Sequence, residues 1–309
     1  MSSMEKRPEA CQTDRKFTRG TLICGIGSFY TVRDADKQEY ILRCKKKFRH
    51  EKMTPMVGDE VLFTPGKGEE HGWLEEILPR ITCCIRPPVA KVTRLAIVVA
   101  PVPEPDLLLV DRQISRAVSQ GIEVLLIVNK TDLDGTLADK MKEEYAQTGI
   151  RVIASSAKNA KGLDEIRSAL GGNALCCFTG QSGAGKSTML NALLDLDLQT
   201  GNISRKISRG KNTTRHTELI EKNGIRVMDT AGFSLLEAET DLEPEKLRER
   251  YPEFAPYEGK CRFRECLHDR EPDCAVCNAA TAGLISKGRL DRYRILLSEA
   301  REQWRNRYD

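Results

Sequence analysis

The chain changes its hydrophobic rhythm twice. Over the first eighty or so positions apolar and polar residues alternate in short bursts, at 21–24, 29–33, 40–43, 60–63 and 73–77. Turn formers such as Val57-Gly58-Asp59 and Pro65-Gly66-Lys67-Gly68 separate them. Period two marks half-buried strands, and five of them in so short a stretch predict a small barrel, an OB-fold or an SH3-like barrel on pattern alone. Arg86-Pro87-Pro88 then makes a stiff exit. From residue 95 the apolar runs become unbroken. Residues 95–100 (LAIVVA) and 123–128 (EVLLIV) read as strands buried on both faces, with a helix over 105–120 that opens at Asp106 and stops at Gly121. Further strands are expected at 150–154, 174–179 and 224–228, the last paired with 218–221 through an Asn223-Gly224 turn. Strand and helix alternate throughout, which predicts a mostly parallel sheet covered on both faces. Past Gly232 the pattern turns helical: a helix over 241–250, a proline-containing 251–257 segment, and a terminal helix over 281–307. The fold class is multidomain α/β, divided at 1–84, 85–238 and 239–309.

Three motifs sit on this frame. Gly180-Gln181-Ser182-Gly183-Ala184-Gly185-Lys186-Ser187-Thr188 follows a buried strand and opens the 186–194 helix, as a phosphate-binding loop requires. Its glycines allow close backbone approach, its amides cradle phosphate, Lys186 supplies charge and Ser187 a magnesium ligand. Asn129-Lys130-Thr131-Asp132 stands at the carboxyl end of the 123–128 strand, where open α/β sheets bind ligands. The Asp132 carboxylate can accept two hydrogen bonds from guanine, whereas adenine presents no such donor pair, so the motif selects guanine. Ser155-Ser156-Ala157-Lys158, one strand later, is similar to the loop that contacts the guanine carbonyl in GTPases. Asp229-Thr230-Ala231-Gly232 ends another strand. There Asp229 can hold a magnesium-bound water and the Gly232 amide can reach a γ-phosphate. In an ordinary GTPase the phosphate loop comes first and N-K-x-D last; here N-K-x-D leads, so the order is circularly permuted. The 198–216 stretch is too polar to bury and reads as a switch, with Thr214, ahead of Thr213, as the ligand that completes magnesium coordination when γ-phosphate is bound.

Cys261, Cys266, His268 and Cys274 form a C-x4-C-x-H-x5-C cluster whose three thiolates and one imidazole suit a closed, structural zinc site. Cys277, which makes C-x2-C with Cys274, is a rival fourth ligand. Eleven cysteines could suggest disulfides, yet the adjacent pairs Cys83-Cys84 and Cys176-Cys177 and the cluster itself argue for reduced thiols and a cytoplasmic protein. No apolar run is long enough to span a membrane, and the first ten residues lack a signal core. Net charge is only +4, too small to announce a partner, so its distribution matters more. Arg43, Lys45, Lys46, Lys47 and Arg49 surround Phe48 near one end, and Arg289, Arg292, Arg294, Arg301, Arg305 and Arg307 crowd the terminal helix. Two basic ends would suit a large folded RNA.

The motif order, the Gly210-Lys211-Asn212-Thr213-Thr214-Arg215-His216 switch and the cysteine cluster together resemble the RsgA (YjeQ) family over nearly the whole chain. The resemblance implies an N-terminal OB-fold, a circularly permuted GTPase domain and a helical zinc domain. It implies GTP, GDP, Mg2+ and one structural Zn2+ as ligands, and hydrolysis stimulated by the small ribosomal subunit and its rRNA late in maturation, by a monomer. Lys186, Thr214 and Gly232 would take catalytic parts. The water-orienting group is left open: relatives commonly carry histidine where this chain has Asn212, and His216 is the nearest substitute. Phe233 follows D-T-A-G where Ras-like enzymes carry glutamine. A nucleotide-gated RNA-binding module in which hydrolysis is incidental is the second reading.

Overall fold

The computed structural model describes residues 17–307 apart from 27, 46, 51–52, 67–69, 81–82, 85–88, 91, 173, 197–216 and 231–241. The five alternating bursts form β1 (Thr18–Ile26), β2 (Phe29–Asp34), β3 (Glu39–Cys44), β4 (Glu60–Thr64) and β5 (Gly72–Ile77). β1, β2 and β3 run as an antiparallel meander, β3 lies parallel to β5, β5 pairs with β4, and β4 closes back onto β1. That order, with a single helical turn α1 (Lys47–His50) between β3 and β4, selects the OB-fold over the SH3-like alternative. One residue in two points inward: Leu22, Val32, Leu42, Val61, Phe63 and Leu74 are fully buried.

After a short β6–β7 pair (Cys83–Cys84, Val89–Ala90) the chain enters the second sheet. Its strands are β8 (Arg94–Val99), β9 (Glu123–Val128), β10 (Arg151–Ala154), β11 (Leu175–Thr179), β12 (Thr217–Lys222) and β13 (Ile225–Thr230). They lie in the order β10-β9-β8-β11-β13-β12, all parallel except β12. Helices α2 (Leu107–Ser119) and α3 (Thr136–Glu144) cover one face, and α4 (Leu163–Leu170) and α5 (Lys186–Leu194) the other. Leu95, Ile97 and Val99 of β8 join the first core with Val110 and Ile114. Ala96 and Val98 join the second with Ile166 and Met189. This double burial is why these strands read as continuous apolar runs. The β12–β13 hairpin turns at Asn223 (φ 53°) and Gly224 (φ 71°), both left-handed as a type I′ turn demands. β12 meets β1 through a Cys24–Glu218 bridge, so barrel and nucleotide sheet form one continuous eleven-stranded surface.

Two expectations for the last third are corrected. Where a helix was expected over 241–250, the described residues form a 3-10 run, Pro244–Arg250, followed by another, Pro252–Tyr257. Pro252 ends the first run, because the residue before a proline is driven out of helical geometry, and Pro256 removes an amide donor inside the second. A short helix that was not expected, α6 (Ala275–Thr281), comes first, and the terminal helix expected over 281–307 is α7 (Lys287–Asn306), which starts later than the pattern suggests. Gly283, at φ 73°, ends the first, and Ser286 caps the second by accepting from the Arg289 amide. No helix among the described residues is long and apolar enough to cross a membrane.

Candidate functional site

The carboxyl ends of β8, β9, β10 and β11 converge, and the sequence motifs meet there. Gly180 leaves β11 at φ 131°, where a Cβ would lie 2.1 Å from the Val98 carbonyl oxygen, so only glycine lets the loop pass that strand. The loop Gly180–Gly185 opens onto the N-terminus of α5, whose first turn has no side-chain cap. Its amides are therefore free to face an anion. The Lys186 Nζ donates to the carbonyls of Gly180 and Gln181, both at 2.7 Å, which holds the ammonium inside the loop. Burial lowers its pKa. Ser187 is exposed and Thr188 half-buried on the same turn; Ser182 is exposed and Ala184 buried. The Gln181 side chain accepts from the Asp106 amide at 2.9 Å, and Asp106 caps α2 through Leu109 N, so the loop is tied to a helix on the opposite face.

Asn129 joins two parts of the site. It is buried, its Nδ2 donates to the Ala184 carbonyl at 3.0 Å, and its Oδ1 accepts from the Ala157 amide at 3.0 Å. The phosphate loop and the Ser155–Ala157 loop are thus held by one side chain. Gly185 must stay small for the same reason: at φ 93°, a Cβ there would fall 2.4 Å from Asn129 Nδ2. Lys130 Nζ donates to Val102 O and Gly183 O at 2.7 Å, and Thr131 donates through both N and Oγ1 to Ser155 O. Asp132 accepts from Ser156 Oγ at 2.5 Å. That hydrogen bond, aided by Lys158 and Lys130, holds its carboxyl below the usual range. β13 runs parallel beside β11, which brings the backbone of Asp229 to the same end of the sheet. Asn212, Thr214, His216 and Gly232 lie outside the described residues.

The second cluster assembles as the spacing suggested. The ligand atoms of Cys261, Cys266, His268 and Cys274 all lie within 4.8 Å of one another. Cys261 Sγ is 3.9 Å from Cys274 Sγ and 3.7 Å from His268 Nδ1, which is 3.4 Å from Cys274 Sγ. A tetrahedral ion with bonds of about 2.0–2.3 Å needs edges of about 3.4–3.8 Å, so the donor set fits zinc. Backbone amides of Ala275 and Cys277 point at the Cys261 and Cys274 sulfurs, an arrangement that favours thiolates. Cys277 stands apart: its Sγ faces His268 O and receives the Arg294 guanidinium, so it is not the fourth member.

One cluster was missed, and it changes the reading of α7. Arg289, 2% exposed, donates at 2.6 Å to both Asp111 on α2 and Glu253. Its guanidinium lies 5.0 Å from the Tyr145 ring and 4.9 Å from that of Tyr251. Arg292 binds Asp111 and Glu144, Tyr145 Oη donates to Asp111, and Arg112 of α2 pairs with Glu299. Arg301 pairs with Asp269 and Arg294 with Asp291. The terminal helix is therefore not a free basic surface, because four of its six arginines are committed within the protein. A signal was present: Asp111 falls between Val110 and Ile114 on the buried side of α2, where a lone carboxylate demands a partner.

Comparison with known proteins agrees with this geometry. The RsgA GTPase profile matches residues 77–239, and the RsgA N-terminal domain profile residues 19–74. A small ribosomal subunit biogenesis GTPase RsgA from Ruminiclostridium cellulolyticum is 42% identical over 280 residues, covering 89% of this chain and 91% of its own. Its namesake in Geobacillus thermodenitrificans is 40% identical over 292 residues, covering 92% and 98%. The crystal structure of YjeQ from Thermotoga maritima superposes with a TM-score of 0.79 at 29% identity, over 92% of this chain and 98% of that one. YloQ, described as a circularly permuted GTPase, gives 0.76 at 31%, over 96% and 99%. Permuted motifs on a parallel sheet, an OB barrel ahead of them and a cysteine cluster behind: the chain belongs to the RsgA family of circularly permuted GTPases.

Proposed function

We propose that the chain binds GTP across the ends of β8–β11 and hydrolyses it to GDP and phosphate while engaged with the small ribosomal subunit and its rRNA, the subunit stimulating turnover late in maturation. The observation that carries this is the Asn129 bridge, which locks the phosphate loop and the base-side loop in one geometry. Asp132, held charged by Ser156, accepts from guanine; Ala157 and Ser155 present backbone around the base. Lys186 and the α5 amides stabilise charge on the transferred phosphoryl. Ser187, with Asp229 through water, would hold Mg2+, which would supply positive charge against the phosphates. Thr214, Gly232, and either Asn212 or His216 would complete the site from the switch segments. The cysteine cluster holds one structural zinc. The protein acts in the cytoplasm as a monomer, and 1–84, 85–238 and 239–309 are its domains.

The test is GTP turnover with purified small subunits, with large subunits and with none. Strong stimulation by small subunits alone is expected; equal rates would refute the reading and favour the nucleotide-gated RNA binder.

A further inference from the structure

Helix α2 is gripped from two sides, by the phosphate loop and by the C-terminal domain. On the first side, the Asp106 amide at its start donates to the Gln181 side chain at 2.9 Å, and Gln113 Nε2 donates to Thr179 Oγ1 at 2.9 Å. Positions 106 and 113 are close to two turns apart, so they share one face. Thr179 is the last residue before the Gly180 turn and is fully buried, and Gln113 is 2% exposed. Gln113 Oε1 finds no partner among the described residues, so nothing replaces the Thr179 hydroxyl in holding this amide. The lead-in to α2 touches the loop as well: Pro103 lies against Gly183, and Lys130 ties Val102 O to Gly183 O.

The opposite face belongs to the C-terminal domain. Leu108 packs into the core that holds Leu247, Tyr251 and Tyr293, Asp111 receives Arg289 and Arg292, and Arg112 pairs with Glu299. The spacing 108, 111, 112 is one helical face, turned away from 106 and 113. The wall behind the phosphate loop is thus fixed in place by a domain that contributes no residue to that loop. Amides that converge on a phosphate lose strength when the loop carrying them loosens. We infer that Gln113 is a positioning residue for the phosphate loop, and that through it the seating of the C-terminal domain on α2 raises nucleotide affinity. Such coupling is reciprocal, so bound nucleotide steadies the α7 seat by the same factor. The inference rests on the guanine-nucleotide site proposed above and adds a control on it from outside.

The experiment titrates the full chain with a fluorescent GDP. Gln113→Met and Thr179→Val, which each remove the bond with little change of volume, should weaken binding by about 3-fold to 30-fold. Thr179→Ser, which keeps the hydroxyl, should rescue what Thr179→Val loses. Asp111→Asn loosens the seat while Arg289 keeps Glu253 and Arg292 keeps Glu144. It should weaken binding by about 2-fold to 10-fold, and add nothing further in a Gln113→Met background. GDP should slow amide exchange in the 287–300 part of α7, and Gln113→Met should abolish that slowing. Unchanged affinity in both Gln113→Met and Thr179→Val, additive losses in the double variant, or exchange in α7 indifferent to GDP would each overturn the inference. The affinity of the unaltered protein for GDP, read in the same titration, tests the nucleotide site itself separately.

Discussion

Replacing Arg289 by Met removes the centre of the buried charge cluster while keeping much of the volume. Asp111 would retain Arg292 and the Tyr145 hydroxyl, so its loss is partial. Glu253 would not: it is 3% exposed, and its other oxygen already lacks a partner. An uncompensated buried carboxylate costs about 3–5 kcal/mol, far above the value of an exposed ion pair. Arg289→Met should therefore destabilise the α7 packing by about that amount. Adding Glu253→Gln removes the stranded charge, so the double variant should recover to within about 2 kcal/mol of the parent. The probe is Trp304 fluorescence on α7 during urea unfolding, in a Trp73→Phe background. A loss below about 1 kcal/mol in the single variant, or a double variant no better than the single, would refute the claim that Glu253 is held by this arginine alone.

Other outcomes can be checked separately. Gly185→Ala forces Asn129 from its place, and losing its two buried hydrogen bonds should weaken GTP binding by about 10-fold to 100-fold in a fluorescent-nucleotide titration. Asp132→Asn should weaken GTP and favour xanthosine triphosphate in competition. Since the Ser156 hydrogen bond keeps the Asp132 carboxyl below its ordinary value, the charge is present above that lowered pKa and lost as pH falls through it. Asp132 should accordingly add no pH dependence to GTP affinity between about pH 8 and about pH 5, so Asp132→Asn should shift the affinity by the same factor at both ends of that range. In the metal-free protein burial raises the pKa of the Cys266 and Cys274 thiols. Zinc uptake should then release protons and tighten as pH rises, and Cys274→Ser should abolish stoichiometric zinc by atomic absorption.

Much of this was legible in the sequence, for identifiable reasons. Alternation at 29–33 and 40–43 fixed which residues face inward, because a strand's side chains have only two directions. The phosphate loop is legible because its glycines are required by hard contacts, Gly180 against Val98 and Gly185 against Asn129. The choice of barrel was not: it depends on β3 lying beside β5, a pairing across some thirty residues that local pattern does not encode. Arg289 illustrates the harder limit. Its charge is plain in the chain, but its partner Asp111 is 178 residues away, so an arginine-rich helix looked like a nucleic-acid surface when it is largely a fastening. The start of α7 was written in Gly283 and the Ser286 cap, which set it later than helical period alone suggests.

The contact between β1 and β12 bears on how the protein avoids sticking to itself. A parallel sheet ends in strands whose outward amides and carbonyls invite pairing with any passing strand. On the β12 side that invitation is taken up by the barrel, through the Cys24–Glu218 bridge and the Arg33–Glu221 ion pair at 3.7 Å. A chain begun after the barrel would present β12 as a free edge, guarded by its charged Glu218, Glu221 and Lys222. The barrel is thus an edge guard for the nucleotide sheet as well as a surface in its own right, which makes a barrel-less form prone to aggregate even with every nucleotide contact intact.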